Sequence, residues 1–183
     1  MKTSNLFTGK LLKLAVPRRE DAAIRASWEE DSEYLRNLDT DIAYPRSTDQ
    51  LGEERKTSSN SKYFRLRTVS DDTLIGFVVI HSIEWNNRTG SLAIGIGNPL
   101  FQNKGYGSEA LQLILRYAFH ELNLNRVGLD VIGYNRRAIC AYQKAGFIEE
   151  GCIRSAVYRD GKFSDRIYMG ILRSEWEEQQ RQT

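Results

Sequence analysis

The stretch Gly97-Asn98-Pro99-Leu100-Phe101-Gln102-Asn103-Lys104-Gly105-Tyr106-Gly107-Ser108-Glu109-Ala110 constrains this chain more than any other. An apolar stripe follows it, with Ala110, Leu111, Ile114, Leu115, Ala118, Phe119 and Leu122 at helical spacing. Gly105 and Gly107 therefore sit at the N-terminus of an amphipathic helix. The free N–H groups and dipole of such an end favour an anion, and glycine puts no side chain between backbone and phosphate. Lys104 adds a positive charge. A plain loop that uses glycine for its turn explains two glycines equally well, so the rest of the chain has to decide.

Upstream, Leu6 to Val16 alternates in part and ends at Pro17, which predicts a first strand. Arg18 to Glu30 predicts a helix. Tyr34 to Pro45 has no regular pattern, and Ser47-Thr48-Asp49 is positioned to cap a helix over Gln50 to Lys56. Tyr63–Val69, Leu74–Ile83 and Gly90–Gly97 are strand-like runs joined by Ser70-Asp71-Asp72 and Asn86-Asn87-Arg88, an antiparallel meander. After the glycine loop come a helix, a strand over Arg126–Ile132, a helix over Arg136–Ala145, and strands near Phe147 and over Asp165–Leu172. Asp160-Gly161 is a hairpin turn signal, and Ser174-Glu175-Trp176-Glu177 reads as a capping box on a tail helix. The expected fold is one mixed α/β domain.

With 183 residues the chain fits one domain. Its 26 basic and 24 acidic residues give a net charge of only +2, too little for a nucleic-acid binder that works by bulk charge. One local anion site remains compatible. Cys140 and Cys152 form no disulfide framework and are expected as buried free thiols. His81 and His120 lie far apart with no Cys partner, so no metal site is expected. No apolar run reaches the ~18 residues of a membrane span, and Met1 to Lys13 lacks a signal-peptide core. A cytoplasmic protein without membrane or nucleic-acid partners is the expectation.

Three anion-binding patterns compete for the loop. A P-loop would end in Gly-Lys-Ser/Thr, which is absent. Gly105-Tyr106-Gly107-Ser108-Glu109-Ala110 matches the dinucleotide G-x-G-x-x-G/A literally, with Asp130 as a ribose-binding acid. That motif needs its strand to run straight into the first glycine, but Asn98 to Lys104 intervenes. The third pattern is Gln102-x-x-Gly105-x-Gly107. It resembles the Q/R-x-x-G-x-G/A acyl-CoA loop of the GNAT (GCN5-related N-acetyltransferase) superfamily. Asn135 to Phe147 is similar to that family's N-x-x-A-x-x-x-Y-x-K-x-G-F segment. Glu150-Gly151-Cys152-Ile153-Arg154 and Asp160 to Asp165 resemble its RimJ/RimL-type branch and the related spermidine acetyltransferases.

The resemblance implies a single GNAT domain over residues 1–183. Its fold would be α/β (α+β), a mixed, mostly antiparallel sheet flanked by helices, with acetyl-CoA in the cleft between splayed strands 4 and 5. Gly95 and Gly97 are expected to mark a bulge in strand 4. The implied activity is acetyl-CoA-dependent N-acetyl transfer (EC 2.3.1) to a primary amine by direct attack in a ternary complex. The branch implies a protein N-terminal amine; a polyamine, amino-sugar or antibiotic acceptor is the alternative, and a homodimer is left open. The resemblance assigns the pyrophosphate to Gln102, Asn103, Lys104, Gly105, Tyr106, Gly107 and Ser108, and the pantetheine arm to Ile94, Ile96 and Asn135. Tyr142 would meet the CoA sulfur as acid to the leaving thiolate. An ordinary Tyr pKa of about 10 lies above a thiol's, about 8.5, so hydrogen bonding to the thiolate is its better-matched role.

The amine must lose a proton before it attacks. Many relatives place a Glu for this in an E-I-G pattern, and here Ala93-Ile94-Gly95 stands instead. Glu150 is the expected substitute, with Glu84 second. Trp28, Tyr34, Tyr44 and Trp85 are candidates for the acceptor cleft, and Arg136 and Arg137 for the CoA 3′-phosphate. Ala93 also motivates a non-catalytic CoA-binding module, and the dinucleotide match an NAD(P)-dependent oxidoreductase.

Overall fold

The computed structural model describes residues 5–53 and 58–182. Their elements are β1 (Leu12–Ala15), α1 (Asp21–Glu29), α2 (Ser32–Leu38), α3 (Thr48–Glu53), β2 (Lys62–Thr68), β3 (Leu74–Glu84), β4 (Thr89–Ile96), α4 (Tyr106–Arg116), β5 (Arg126–Ile132), α5 (Arg136–Lys144), β6 (Ile148–Arg159), β7 (Lys162–Leu172) and α6 (Arg173–Gln182). The expected helix over Gln50 to Lys56 falls partly outside the described residues. Helix α2 lies where the sequence showed no regular pattern. Its signal is local: the Asp31 carboxylate accepts from the Glu33 and Tyr34 amides, an N-cap. The tail helix begins at Arg173, and the Glu175 carboxylate rather than Glu177 reaches back to the Leu172 amide, at 2.8 Å.

The seven strands form one sheet in the order β1-β2-β3-β4-β5-β7-β6. All pairs are antiparallel except β4 with β5. The parallel pairing covers only Thr89–Arg126, Gly90–Val127 and Ser91–Gly128. Beyond Ser91 the two strands separate. Alternation puts Leu92, Ile94 and Ile96 on one sheet face and Ser91, Ala93 and Gly95 on the other.

Helix α4 covers the first face. Its Leu111, Ile114 and Leu115, with Phe119 in the helical turn that follows, are almost fully buried against Ile80, Val78, Val127 and Ile171, each contributing about 1.5–3 kcal/mol. Helices α1 and α2 cover the second face at β2 and β3. Buried Asp21 binds Arg67 and lies 3.4 Å from Arg65, fastening α1 to β2. Because Trp28, Tyr34 and Leu38 press on β4, a Cβ at Gly97 would collide with the Trp28 indole. This corrects the expected strand-4 bulge: Gly95 in β4 and Gly97 just after it accommodate helix packing, and β4 keeps its register from Ser91 to Ile96. The irregularity is in β3, between His81 and Glu84, where Ser82 has φ +49. Both cysteines are exposed rather than buried.

Candidate active site

The gap between β4 and β5 opens into a cavity of about 610 Å³, a size typical of ligand sites. Its wall includes Leu92 to Ile96 of β4, Asp130 to Ile132 of β5, Gln102, Gly105 and Gly107 of the loop, and Asn135, Ala138 and Tyr142 of α5. On the other side of the sheet it takes in Asp31, Tyr34, Asn37, Leu38 and Asp39 from α2 and its flanks. The cavity therefore passes through the sheet, with one mouth at α4 and α5 and another at α2.

At the first mouth, Gly105 is the N-cap of α4 with φ +87, a left-handed conformation that glycine adopts freely. The first-turn amides of α4 have no intrahelical acceptors. Gly107 has nothing within 4 Å of where a side chain would stand. Beyond Ser91, the edge of β4 facing β5 has no strand partner, so its peptide groups are available to an extended ligand. An anion-bearing arm fits this arrangement: phosphates at the α4 end, and the arm beside Leu92 to Ile96. Gln102 ties the loop down, with Nε2 donating to the Ile96 carbonyl at 3.1 Å and Oε1 accepting from Arg137 at 2.7 Å. Asn135 caps α5 by accepting from the Ala138 amide and donates to the Asn37 carbonyl at 3.3 Å.

Most of the expected residues converge here: Ile94, Ile96, Gln102, Asn103, Gly105, Gly107, Ser108, Asn135 and Tyr142 all line the cavity. Lys104 is exposed and does not line it; neither does Tyr106, whose ring packs edge-on to Phe101. Tyr142 is held edge-on to Phe147 on α5, and burial followed by the nearby Asp130 charge pushes its hydroxyl up to about 12. It stays protonated and can donate.

Glu150 is not brought to the site. It lies at a β6 irregularity, outside the cavity lining, and both its oxygens are taken by the Arg126 guanidinium. That hydrogen bonding, then the Arg126 charge, holds its carboxyl below the usual range, the wrong direction for a base. Glu84 is also outside, accepting from Asn87 at 2.5 Å. Of the aromatic candidates only Tyr34 lines the cavity; Trp28 is buried in packing, and Tyr44 and Trp85 are exposed.

Sequence reasoning missed His81, Glu33, Asp39 and Arg166, which all line the cavity. His81 had a visible signal, as an imidazole directly after the apolar run Leu74 to Ile80. The acids had none, because their meeting depends on where α2 docks. Among the described residues no cluster could hold a metal ion and no helix is long and apolar enough to cross a membrane.

Comparison with known proteins agrees with this geometry. A family model described as "Acetyltransferase (GNAT) domain" matches residues 12–148. The SPbeta prophage-derived N-acetyltransferase YokL of Bacillus subtilis is 30% identical over 93% of this chain and 95% of its own. The putative ribosomal N-acetyltransferase YdaF of the same organism is 33% identical over 58% of each chain. Among solved structures, spermidine N-acetyltransferase from Vibrio cholerae, in complex with CoA and spermine, superposes with a TM-score of 0.82. It is 26% identical, over 91% of this chain and 98% of that one.

Proposed function

The chain belongs to the acetyltransferase (GNAT) family and is an acetyl-CoA-dependent N-acetyltransferase, and we propose that its acceptor is a small polycationic amine of the spermidine type. The observation that carries this reading is the acidic α2 mouth. Asp31, Glu33 and Asp39 line it. Carboxylates around an opening concentrate a cation and orient its long axis. The likeness to a spermidine acetyltransferase supports the same choice.

In this reading the α4 N-terminus and Gln102 to Ser108 hold the CoA pyrophosphate, and the open edge of β4 holds the pantetheine. The acceptor nitrogen attacks the thioester directly, within one complex of both substrates. A backbone N–H between Ile94 and Ile96 faces the developing oxyanion, and Tyr142 donates a hydrogen bond to the departing thiolate. A second reading, a protein N-terminal amine in the manner of the RimJ/RimL-type branch, is supported by the similarity to YdaF. Thiol release from acetyl-CoA, measured with spermidine, an amino sugar and an alanyl peptide, tests the choice. Spermidine is expected to give the highest kcat/KM; preference for the peptide would replace the first reading with the second.

A further inference from the structure

We propose that His81 is the general base of the transfer, taking the proton from the acceptor ammonium at the floor of the β4–β5 gap. Register fixes its place. His81 pairs with Ser91, and Val79 with Ala93, so His81 lies diagonal to Ala93 on the same sheet face. Ser91 also pairs with Gly128, which puts Asp130 on that face across the gap. Ala93 offers only a methyl group, so the imidazole meets the space above it unobstructed by a long side chain. The β3 irregularity begins immediately after His81, and such features re-aim side chains beside sites. Ser82 has a positive φ, and its Oγ lies 3.1 Å from His81 Nδ1. An Nδ1–H donated to this oxygen leaves the Nε2 lone pair for the cavity.

The other ionisable groups around the cavity are less suited. Asp130 of β5 is ion-paired to Arg166 of β7 at 2.7 Å. Asp31 is occupied as the α2 cap, and Asp39 accepts from the Asp41 amide at 2.8 Å. Glu33 is exposed at the α2 mouth, and Tyr142 of α5 and Tyr34 of α2 are phenols that burial keeps protonated. Lys62 of β2 is turned to the Trp85 ring. Burial lowers the His81 pKa, with the Asp130 charge acting in the other direction, so the imidazole is neutral at neutral pH.

The step balances. The ammonium N–H bond breaks and its proton goes to Nε2. The freed lone pair forms the C–N bond to the thioester carbon. The adduct collapses with loss of the C–S bond to a thiolate that Tyr142 hydrogen-bonds, the extra nitrogen proton passes to that sulfur, and the imidazolium returns its proton to water.

The proposal rests on the acetyltransferase reading, and the experiment separates the two. The amine of a polyamine, amino-sugar and alanyl-peptide panel that releases thiol fastest is assayed with wild type, His81→Gln and His81→Glu. An enzyme base makes kcat/KM level between about pH 6.5 and 8, because the ammonium itself is the substrate. Without it only pre-formed amine reacts, so the His81→Gln rate falls about 100-fold near pH 7 and climbs about tenfold per pH unit. His81→Glu restores the level profile, and calorimetric acetyl-CoA affinity is unchanged in both variants. A level His81→Gln profile, at any rate, overturns the proposal. The absence of any wild-type turnover strikes the acetyltransferase reading instead. NMR titration of the imidazoles then still reads His81: a midpoint above the ordinary 6.5 overturns its role as base, and one below it is the expected result.

Discussion

The Arg137 guanidinium donates to Gln102 Oε1 at 2.7 Å, joining the first turn of α5 to the loop that enters α4. Both residues line the cavity, so a single arginine sets the loop's position and adds positive charge where phosphates are expected. Arg137→Ala is expected to raise the dissociation constant of acetyl-CoA about tenfold, the size of one charge-assisted hydrogen bond. Titration calorimetry against CoA and 3′-dephospho-CoA checks this. A loss confined to the 3′-phosphorylated ligand assigns Arg137 to that phosphate, whereas an equal loss assigns it to the loop.

Gly107 separates folding from binding. It lies in the first turn of α4 with open space around it and an ordinary helical backbone, so nothing within the chain requires glycine there. Gly107→Ala is expected to leave thermal stability unchanged or to raise it by up to about 1 kcal/mol. The same methyl would stand where the pyrophosphate meets the helix end, so acetyl-CoA affinity should fall at least tenfold. Gly105→Ala should do the opposite first: its φ of +87 costs an alanine about 1–2 kcal/mol. Melting curves recorded beside binding isotherms distinguish the two.

The two glycine-loop and α5 motifs were legible because each is local: a capped helix end, an apolar stripe, an Asn at an N-cap. The strand runs were legible for the same reason, and Arg126–Ile132 matches β5 in both bounds. The base was not legible. Glu150 sits three residues after Phe147, yet the β6 irregularity and Arg126 keep it outside the cavity. His81 lies 61 residues before Tyr142 in sequence, and only the register of β3 on β4 and the opening beyond Ser91 place both on one cavity. Helix α2 was hidden by its length: seven residues carry too few turns for a periodic pattern, and its cap Asp31 was the one available signal.

Tyr142→Phe removes a hydroxyl and little else. The ring contact with Phe147 and the core packing of α5 survive, so folding should be unchanged. Turnover should fall about 10- to 100-fold, with acetyl-CoA affinity within twofold of wild type, because the hydroxyl acts on charge that develops only in the transition state. Its hydroxyl, pushed up to about 12, also means that wild-type activity should show no loss near pH 10 from ionisation of this group. Pre-steady-state thiol release and a pH–rate series check both statements.

Acid sensitivity should centre on Asp72. Hydrogen bonds from Lys13 and Arg18 depress its carboxyl to about 2. A depressed carboxyl stabilises the fold above its unfolded value near 3.9, and the contribution disappears as pH falls through the folded value. Asp72→Asn is therefore expected to lower the melting temperature at pH 6 and to flatten its fall between about pH 4 and 2. Scanning calorimetry across that interval is the check; parallel curves for the two proteins would show that the pair is fully screened by water.

The acidic α2 mouth makes a prediction that depends on substrate charge rather than on chemistry. Glu33 and Asp39 line it from two ends of α2, and neither bonds to a cation among the described residues. Neutralising both, Glu33→Gln with Asp39→Asn, should raise KM for spermidine about tenfold and leave kcat within about threefold, since the mouth attracts but does not react. The KM for a monoamine of similar length should change less than threefold, because it presents no distal charge to either carboxylate. The spermidine effect should shrink as salt rises from about 0.05 to 0.5 M, where screening shortens the reach of exposed carboxylates. Equal losses for both amines would mean that the two residues shape the mouth and do not read charge.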